Sequence, residues 1–246
     1  MIRGPVILLG GGGHALVVAD AIVAGGGSIA GVVDDNPACS VIEHKDVPHL
    51  GTIKDLLDHS TPTVGPLVLC VGDLELRRRI ISTLDADTVI NHVIHPSAVV
   101  APSARLALGV FIGPLAVVHS FAQVGAHSII NSGAIVEHEC IIGANVHVAP
   151  GAVLGGAVSV AADCLIGLGS IVLPGLRVGR GSTIGAGAVV VRDVPLAATV
   201  VGIPAKVRTL LSAPRASPIS PAKKAPKKKA QKRSARSASR ARGRGR

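Results

Sequence analysis

The chain has 246 residues, 48% of them hydrophobic, but it lacks Trp and Tyr and has only two Phe, so its core has to be built from Val, Ile, Leu and Ala. Residues 1–211 carry 12 Lys and Arg against 15 Asp and Glu, whereas residues 212–246 carry 13 Lys and Arg and no acid; the net charge of +10 therefore belongs to a tail. Four cysteines without a CxxC pair and an apolar N-terminus broken by glycines argue against a disulfide framework, a secretion signal and a membrane span, and they predict a soluble, reduced, cytoplasmic protein.

The first ninety residues alternate between apolar runs and helical segments. "VILLGGGGHALVVADAI" predicts a strand over 6–9, a glycine-rich turn and a helix over 15–23. "SIAGVVDDN" predicts a second strand that ends at Asp34 and Asp35, "LVLCVG" predicts a third strand over 67–72, and "DLELRRRIISTL" predicts a helix. This alternation is typical of a small Rossmann-like α/β domain with a parallel sheet, which we assign to residues 1–92.

The glycine-rich turn matches the GxGxxA form of the dinucleotide fingerprint at Gly10, Gly12 and Ala15, and acids follow at about the expected twenty residues. Bare amides at a helix N-terminus hold phosphate, and a carboxylate at a strand end holds a hydroxyl group or a base edge. Three interpretations remain open: a structural turn, an NAD site, or a site for a nucleotide of another kind. We favour the last, because the α/β unit is too short for a complete dinucleotide-binding domain.

The second half of the chain repeats with a period of six. Every sixth residue from 94 to 190 is Ile, Val or Leu, and the residue four places later is mostly small. This period fits neither an amphipathic helix nor an alternating strand, but it fits a coil of short strands in which three hexads make one triangular turn. No insertion interrupts the register from 94 to 195, so we predict a parallel β-helix over residues 93–211, with coils about 4.8 Å apart. The apolar hexad positions are Ile94, Val100, Leu106, Ile112, Val118, Val124, Ile130, Val136, Ile142, Val148, Leu154, Val160, Ile166, Val172, Val178, Ile184 and Val190.

A charged corner interrupts this apolar wall. Between 106 and 162 the only Asp, Glu, Lys or Arg residues are Glu137 and Glu139, which flank His138, and in the hexad frame Glu137 and His138 occupy the corner and face outward. A solvated corner is one interpretation. A catalytic site is the other, because imidazole is a good proton acceptor near neutral pH and a neighbouring carboxylate can orient the ring. One coil later Gly156 stacks on His138, where its amide could meet a developing oxyanion.

Several segments together resemble the PglD/NeuD family of hexapeptide-repeat acyltransferases over residues 5–208. They are the glycine-rich α/β domain, the "DD" after its second strand, "VGD" followed by "RRRI", "GAIVEHEC" and "VVGIPAK". The resemblance implies a left-handed parallel β-helix, a homotrimer with active sites between neighbouring coils, and an acetyl-CoA-dependent acetyltransferase that uses no metal. The substrates that it implies are nucleotide-activated amino sugars or sialic acids. The four-glycine turn departs from the mixed turn that is more common in this family, and this difference bears on substrate identity.

The resemblance also implies roles for individual residues. His138 matches the general base, Glu139 the acid that orients it, and His147 the histidine that meets the thioester of acetyl-CoA. Leu168 and Ala186 match positions whose main-chain groups hold the coenzyme. The residues that match the nucleotide-sugar pocket are Gly12, Gly13, His14, Asp34, Asp35 and Gly72.

We therefore predict transfer of an acetyl group to the amino group of a nucleotide-activated amino sugar, such as a UDP-4-amino sugar, for surface glycan biosynthesis. His138 takes a proton as the amine attacks the thioester, the Gly156 amide stabilises the oxyanion, and Lys206 and Arg208 meet the coenzyme phosphates. O-acetylation of a sialic acid or a related sugar is the alternative within the same class.

Two other classes of protein were weighed. His119, His127, His138 and His147 supply the imidazoles of a hexapeptide zinc carbonic anhydrase, but the ligand pair five residues apart is missing and the glycine-rich domain would be unexplained. The tail "PAKKAPKKKAQKRSARSASRARGRGR" has no apolar periodicity, which predicts disorder over 212–246. Its charge suits nucleic acid or an anionic membrane surface, although it has no aromatic residue to stack on bases; a solubilising extension explains it equally well.

Overall fold

The structure, a computed structural model, describes residues 4–58, 66–84 and 91–208. It contains an N-terminal α/β domain followed by a long parallel β-helix, which confirms the predicted fold class. The predicted basic tail, residues 212–246, lies outside the described residues. Of the helices that the structure describes, none has the length and apolar character needed to cross a membrane.

The N-terminal domain has four strands and four helices within its described residues. They are β1 (Pro5–Leu9), α1 (Gly13–Ala24), β2 (Ser28–Val33), α2 (Ser40–Lys45), β3 (His49–Gly51), α3 (Ile53–Leu57), β4 (Leu67–Leu69) and α4 (Leu74–Thr83). The strands form one parallel sheet in the order β3-β2-β1-β4. The apolar run of β1 lies at the centre of this sheet, where its residues from Val6 to Leu9 are fully buried. Asp73 caps α4, because its side chain accepts the amide of Leu76.

The structure adds β3, α2 and α3 to the elements that the sequence predicts. The two extra helices are short, at six and five residues, so they show little apolar periodicity. A capping box marks the start of α3, where the side chains of Thr52 and Asp55 each accept the other's backbone amide. This T-x-x-D pattern was the available sequence signal for α3.

In the β-helix each strand pairs with the strand one coil later. Ile94 pairs with Ile112 and Ile112 with Ile130, which is the predicted spacing of three hexads. The strands are β5 (Val93–Ile94), β6 (Val99–Val100), β7 (Arg105–Leu106), β8 (Phe111–Ile112), β9 (Val117–Val118), β10 (Gln123–Val124), β11 (Ile129–Ile130), β12 (Ile135–Val136), β13 (Ile141–Ile142), β14 (His147–Val148), β15 (Val153–Leu154), β16 (Ser159–Val160), β17 (Leu165–Ile166), β18 (Ile171–Val172), β19 (Arg177–Val178), β20 (Thr183–Ile184), β21 (Val189–Val190), β22 (Thr199–Val201) and β23 (Lys206–Val207).

Three sheets run along this stack, and we name them as faces. The first face contains β5, β8, β11, β14, β17, β20 and β22, with β23 added antiparallel to β22. The second face contains β6, β9, β12, β15, β18 and β21, and the third contains β7, β10, β13, β16 and β19. From Ile112 to Val190 every predicted hexad residue is buried in the core between the faces. Small residues such as Ala134 and Cys140 fill the space beside them, also as predicted.

The final coil is shorter than predicted. Val178 bridges to Val194 and Thr183 pairs with Thr199, so this coil is two positions short of three full hexads. The prediction of an unbroken register to 195 is therefore wrong at its end. Asp193 explains how the chain tolerates the shortening, because its side chain accepts the amide of Arg177 at 2.8 Å in place of a backbone carbonyl.

The α/β domain packs against the first coils of the first face. Phe111 and Ile129 of that face share a core with Ala15 and Val18 of α1. The second face remains open: its outward residues are all Val or Ile, and none of them is buried within the described part of the chain. They are Val99, Val117, Ile135, Val153, Ile171 and Val189.

Candidate active site

His138 stands at the corner between the second and third faces, with its imidazole held by the next residue. Val136 before it and Cys140 after it are fully buried, so the two inward side chains fix the corner residues in an outward position. The Nδ1 atom of His138 lies 3.1 Å from Oε2 of Glu139, and both side chains are exposed. A carboxylate can only accept here, so Nδ1 carries the proton, and in the neutral form of the ring Nε2 has the free lone pair. Glu139 has a positive φ of 58°, and other corner residues such as Phe121 and Ala157 also have a positive φ.

Gly156 lies directly over this imidazole, as the repeat of three hexads predicts. A Cβ atom at Gly156 would lie 2.6 Å from both Cε1 and Nε2 of His138, so the absence of a side chain makes room for the ring. The Gly156 carbonyl accepts the amide of Gly175, whereas its own amide has no hydrogen-bond partner among the described residues. A proton acceptor and a free backbone donor therefore lie together at one corner.

A second histidine supports the same corner. Nε2 of His119 lies 3.7 Å from Oε1 of Glu137, and Oε2 of Glu137 accepts the amide of His138 at 3.3 Å. The sequence analysis gave neither residue a role in this site, although His119 and Glu137 are exactly one coil apart in the hexad frame. That spacing was the signal that could have paired them.

The two aspartates after β2 bind other parts of the domain. Oδ2 of Asp34 accepts the amide of Gly11 at 2.7 Å, and Oδ1 accepts the amide of Asn36. Oδ1 of Asp35 accepts the amide of Ile53 at the start of α3. Asp34 therefore braces the glycine turn and Asp35 braces a helix start, and each carboxylate keeps further lone pairs for a ligand.

The glycine turn leaves backbone donors open. The amides of Gly12 and Gly13 have no acceptor among the described residues, and a Cβ atom at either position would meet nothing within 4 Å. They begin α1, a helix of three turns, so they form an N-terminus suited to phosphate.

His14, Gly72 and His147 meet where the α/β domain lies on the first face. His147 donates from Nδ1 to the Gly72 carbonyl at 3.3 Å, and its Nε2 accepts from the Asn131 amide group at 3.1 Å. The rings of His14 and His147 are 6.4 Å apart, and His14 packs edge-on against Phe111. Burial, followed by the positive charges nearby, lowers the pKa of each histidine to about 4, so both are neutral at neutral pH. Nε2 of His14 is buried and has no partner within the described chain.

The predicted coenzyme residues lie along another edge and at the end of the stack. Leu168 and Ala186 occupy successive coils at the corner between the first and second faces, and Leu168 is 59% exposed. Lys206 and Arg208 are exposed in the closing segment. Lys206 also lines a cavity of about 250 Å³ together with Arg192, which the sequence analysis did not single out.

Comparison with known proteins gives matches along most of the chain. The PglD N-terminal domain model matches residues 5–84, the bacterial transferase hexapeptide model matches residues 121–156, and the model for the hexapeptide repeat of succinyl-transferase matches residues 157–192. A variant of perosamine N-acetyltransferase from Caulobacter crescentus, solved with CoA and GDP-perosamine, is 37% identical; the match covers 85% of this chain and 98% of that chain, with a TM-score of 0.78. The chain belongs to this family of PglD-type sugar acetyltransferases.

Other solved structures agree with this family. The acetyltransferase domain of PglB from Neisseria gonorrhoeae, solved with acetyl coenzyme A, is 35% identical over 84% of this chain and 100% of that chain, with a TM-score of 0.76. WeeI from Acinetobacter baumannii, at 23% identity and a TM-score of 0.71, shows the same fold. A search among curated proteins found no match. As a PglD-type enzyme the protein is an acyltransferase.

The two parts of this PglD-type site are separated within one chain. His138 lies at the corner between the second and third faces, whereas His147 lies on the first face, where it meets His14 and Gly72 of the α/β domain. The described chain therefore brings His138, Glu139 and Gly156 together, but it does not place them beside the predicted nucleotide-sugar pocket. The histidines considered for zinc are not brought together either: across residues 4–58, 66–84 and 91–208, no group of three or more His, Cys, Asp or Glu could hold a metal ion.

Proposed function

We propose that this acyltransferase transfers the acetyl group of acetyl-CoA to the amino group of a nucleotide-activated amino sugar for surface glycan biosynthesis. The observation that carries the proposal is the corner at which His138, with its Nδ1 held by Glu139, lies against Gly156, whose amide has no partner among the described residues. Relatives that align over nearly their whole length bind CoA with GDP-perosamine, or acetyl coenzyme A. A UDP-4-amino sugar or a similar nucleotide-activated amino sugar is the substrate that the sequence analysis gives as an example.

In this mechanism His138 is the general base. The amine of the sugar attacks the thioester carbonyl, Nε2 of His138 takes the proton that the nitrogen loses, and the thiolate of CoA leaves when the tetrahedral intermediate collapses. Glu139 keeps the proton of the imidazole on Nδ1 throughout, as the 3.1 Å contact supports. The amide of Gly156 donates to the oxyanion of the intermediate.

His147 has a different task, because both of its ring nitrogens already have partners. Its Nδ1 donates to Gly72 and its Nε2 accepts from Asn131, so it presents no free lone pair for a proton. We assign it to the coenzyme side of the site, as the family resemblance implies, where it packs near the thioester without acting as the base.

The nucleotide part of the substrate binds in the α/β domain. The open amides of Gly12 and Gly13 suit its phosphates, and Asp34 and Asp35 lie at the carboxyl end of β2, where α/β sheets bind ligands. The unpartnered Nε2 of His14 offers a further polar contact. We take residues 1–92 as the nucleotide-sugar domain and residues 93–211 as the acetyltransferase domain.

A complete site requires neighbouring copies of the chain. The open Val and Ile residues of the second face suit an interface around a threefold axis, and we propose a homotrimer. The corners with His138 and with Leu168 flank that face, so the trimer brings His138 of one copy toward the first face of the next. The coenzyme then runs past Leu168 and Ala186 to Lys206 and Arg208, in the cytoplasmic compartment.

The experiment is release of free thiol from acetyl-CoA, measured against UDP-, GDP-, dTDP- and CMP-linked sugars, each with an amino or a hydroxyl acceptor. An amino sugar should give turnover; turnover only with a hydroxyl acceptor, such as a sialic acid, would establish O-acetylation instead. If none of the sugar nucleotides gave turnover, the proposal would be contradicted.

Subunit mixing tests the shared site. The His138→Ala and Asp34→Ala variants should each lose most activity, but a refolded 1:1 mixture should recover about a quarter of wild-type turnover, because one interface in four then joins two intact halves. No recovery, in mixtures shown to contain both chains, would mean that each site lies within one subunit.

A further inference from the structure

Arg77 is the only charged residue that is fully buried within the described part of the chain, at 1% exposed. It lies in the second turn of α4, and its Nη1 turns back to donate to the carbonyl oxygens of Val71 at 3.0 Å and Gly72 at 3.2 Å. Its Nε donates to Oδ1 of Asn145 at 2.8 Å. One rigid guanidinium therefore joins the loop after β4 to a corner of the β-helix.

The carbonyl oxygen of Gly72 accepts hydrogen bonds from both domains. Gly72 O accepts both from Nη1 of Arg77 and from Nδ1 of His147, so it uses both of its lone pairs. Gly72 belongs to the proposed sugar-nucleotide pocket and His147 to the proposed coenzyme side. A shift of Arg77 would therefore move both ligand sites through this one atom.

Asn145 connects Arg77 to a braced corner of the stack. Its Nδ2 donates to Leu74 O at 3.2 Å and to Oδ1 of Asp163 at 2.9 Å, and Asp163 in turn accepts from Nε and Nη2 of Arg180. Although burial opposes ionisation of Asp163, the hydrogen bonds from Asn145 and Arg180 lower its pKa. Asn145 has a φ of 54°, a conformation that asparagine tolerates better than most residues. The contacts of Asn145 with Leu74 and Asp163 therefore hold this corner independently of Arg77.

The charge of Arg77 acts on the same histidines. After burial, it is a cause of the lowered pKa of His147, His14 and His127, while Asp73 and Asp163 partly offset the loss of pKa that burial causes in Arg77 itself. The two acids and the three histidines are thus the titratable groups that interact with Arg77 at this junction. Arg77 keeps a pKa of about 10, so it stays charged at neutral pH.

We propose that Arg77 is a positioning residue of the acetyl transfer: through Gly72 it sets the position of the sugar-nucleotide loop relative to His147, and so aligns the acceptor with the thioester. This inference rests on the proposed function. Arg77 touches neither ligand in this arrangement; it acts through the carbonyl that the two sites share.

The test compares four variants of the full chain. Arg77→Lys keeps the charge but loses the fork that reaches Asn145 and two carbonyls at once, and Arg77→Met removes the charge as well. Asn145→Gly removes the anchor while accepting the positive φ, as Gly109 and Gly181 do at the same corner. Arg79→Met, at an exposed position of the same helix, is the control.

We expect Arg77→Lys and Asn145→Gly to lower kcat/KM for the sugar nucleotide by roughly 10- to 100-fold, because a misplacement of about 1 Å has an effect of this size, with KM for acetyl-CoA changed much less. Arg79→Met should match the wild type. In ¹⁵N-histidine spectra, with His147 assigned from a His147→Gln variant, the Nδ1–H form should persist in Arg77→Lys. In Arg77→Met the pKa of His147 should rise, because a positive charge beside it is gone.

Wild-type kinetic constants in both Arg77→Lys and Asn145→Gly, with a lower melting temperature alone, would mean that Arg77 only stabilises the fold. A wild-type protein that releases no thiol with any sugar nucleotide would defeat the proposed function instead. The spectra would still decide the junction: an unchanged His147 resonance and pKa in Arg77→Met would overturn its coupling to Arg77.

Discussion

Gly156→Ala should leave the fold intact and move the base. The added Cβ would lie 2.6 Å from Nε2 of His138, whereas ordinary van der Waals contact begins at 3.4 Å, so the ring has to move by at least the difference, about 0.8 Å. The clashing atoms are the far end of an exposed side chain, which can turn away at little cost to stability. Gly156 has no positive φ, so its backbone accepts a Cβ.

The repeat itself supports this separation of stability from activity. The same hexad position is Ala126, Ala144, Ala162 and Ala186 elsewhere in the stack, and Gly156 is the only glycine at this position between Ile94 and Ile184. The coil therefore tolerates alanine here, and the glycine is explained by the histidine beneath it.

A displacement near 1 Å in a catalytic group lowers turnover by up to about 10²-fold, so we expect kcat to fall roughly 10- to 100-fold, or about 1.4–2.7 kcal/mol in the barrier. The melting temperature should change by less than about 2 °C, since one alanine for glycine at a compatible site alters stability only slightly. Thiol release and thermal denaturation measure the two quantities, with Ala126→Gly as the control at the same hexad position. A kcat within twofold of the wild type would refute the claim that turnover depends on where the imidazole of His138 lies.

Three further predictions concern the base, the pH dependence and the assembly. His138→Ala should lower kcat by roughly 10² to 10⁴, and Glu139→Gln by less; near-wild-type steady-state turnover in the first variant would exclude it as the base. Burial lowers the pKa of His14 and His147 to about 4 in the folded chain, whereas the pKa of a histidine in the unfolded chain is 6.5. Between these two values the unfolded chain binds more protons than the folded chain. The free energy of unfolding should therefore decrease as the pH falls from 6.5 toward 4, by up to about 1.4 kcal/mol per pH unit for each histidine. Urea titrations test this, and a profile that is flat over that interval would contradict it. Ile135→Glu on the open second face should convert the proposed trimer into monomers in light scattering, whereas a trimer that persists in this variant would place the interface elsewhere.

The sequence predicted the β-helix well because its information is local and periodic. The inward position of Val136 and the stacking of Gly156 on His138 both follow from counting residues in hexads and in groups of three hexads. The burial of Arg77 could not be predicted in this way. Within "RRRI" it has the same chemistry as its two neighbours, and its partner Asn145 is 68 positions away.

The α/β domain shows the same limit. The position of Asp34 at a strand end was predicted from apolar patterning, but its bond to Gly11 depends on how the turn folds back over β2. The shortened last coil likewise depends on one side chain, Asp193, replacing a backbone acceptor. Periodic patterns therefore identify elements and faces, whereas single contacts between distant segments decide which polar residues become structural.

The coil of three hexads restricts how this protein can change in length. Loss of a single residue between His138 and Gly156 would turn every later inward side chain out of the core, so insertions and deletions within the stack have to comprise whole coils. The one departure within the described stack, the shortened coil, lies at the end, where only the closing strands follow it. A complete extra coil would keep all three faces and move Lys206 about 4.8 Å farther from His138. The number of coils therefore sets, in discrete steps, the length that a ligand needs in order to reach from the closing segment to His138, the proposed base.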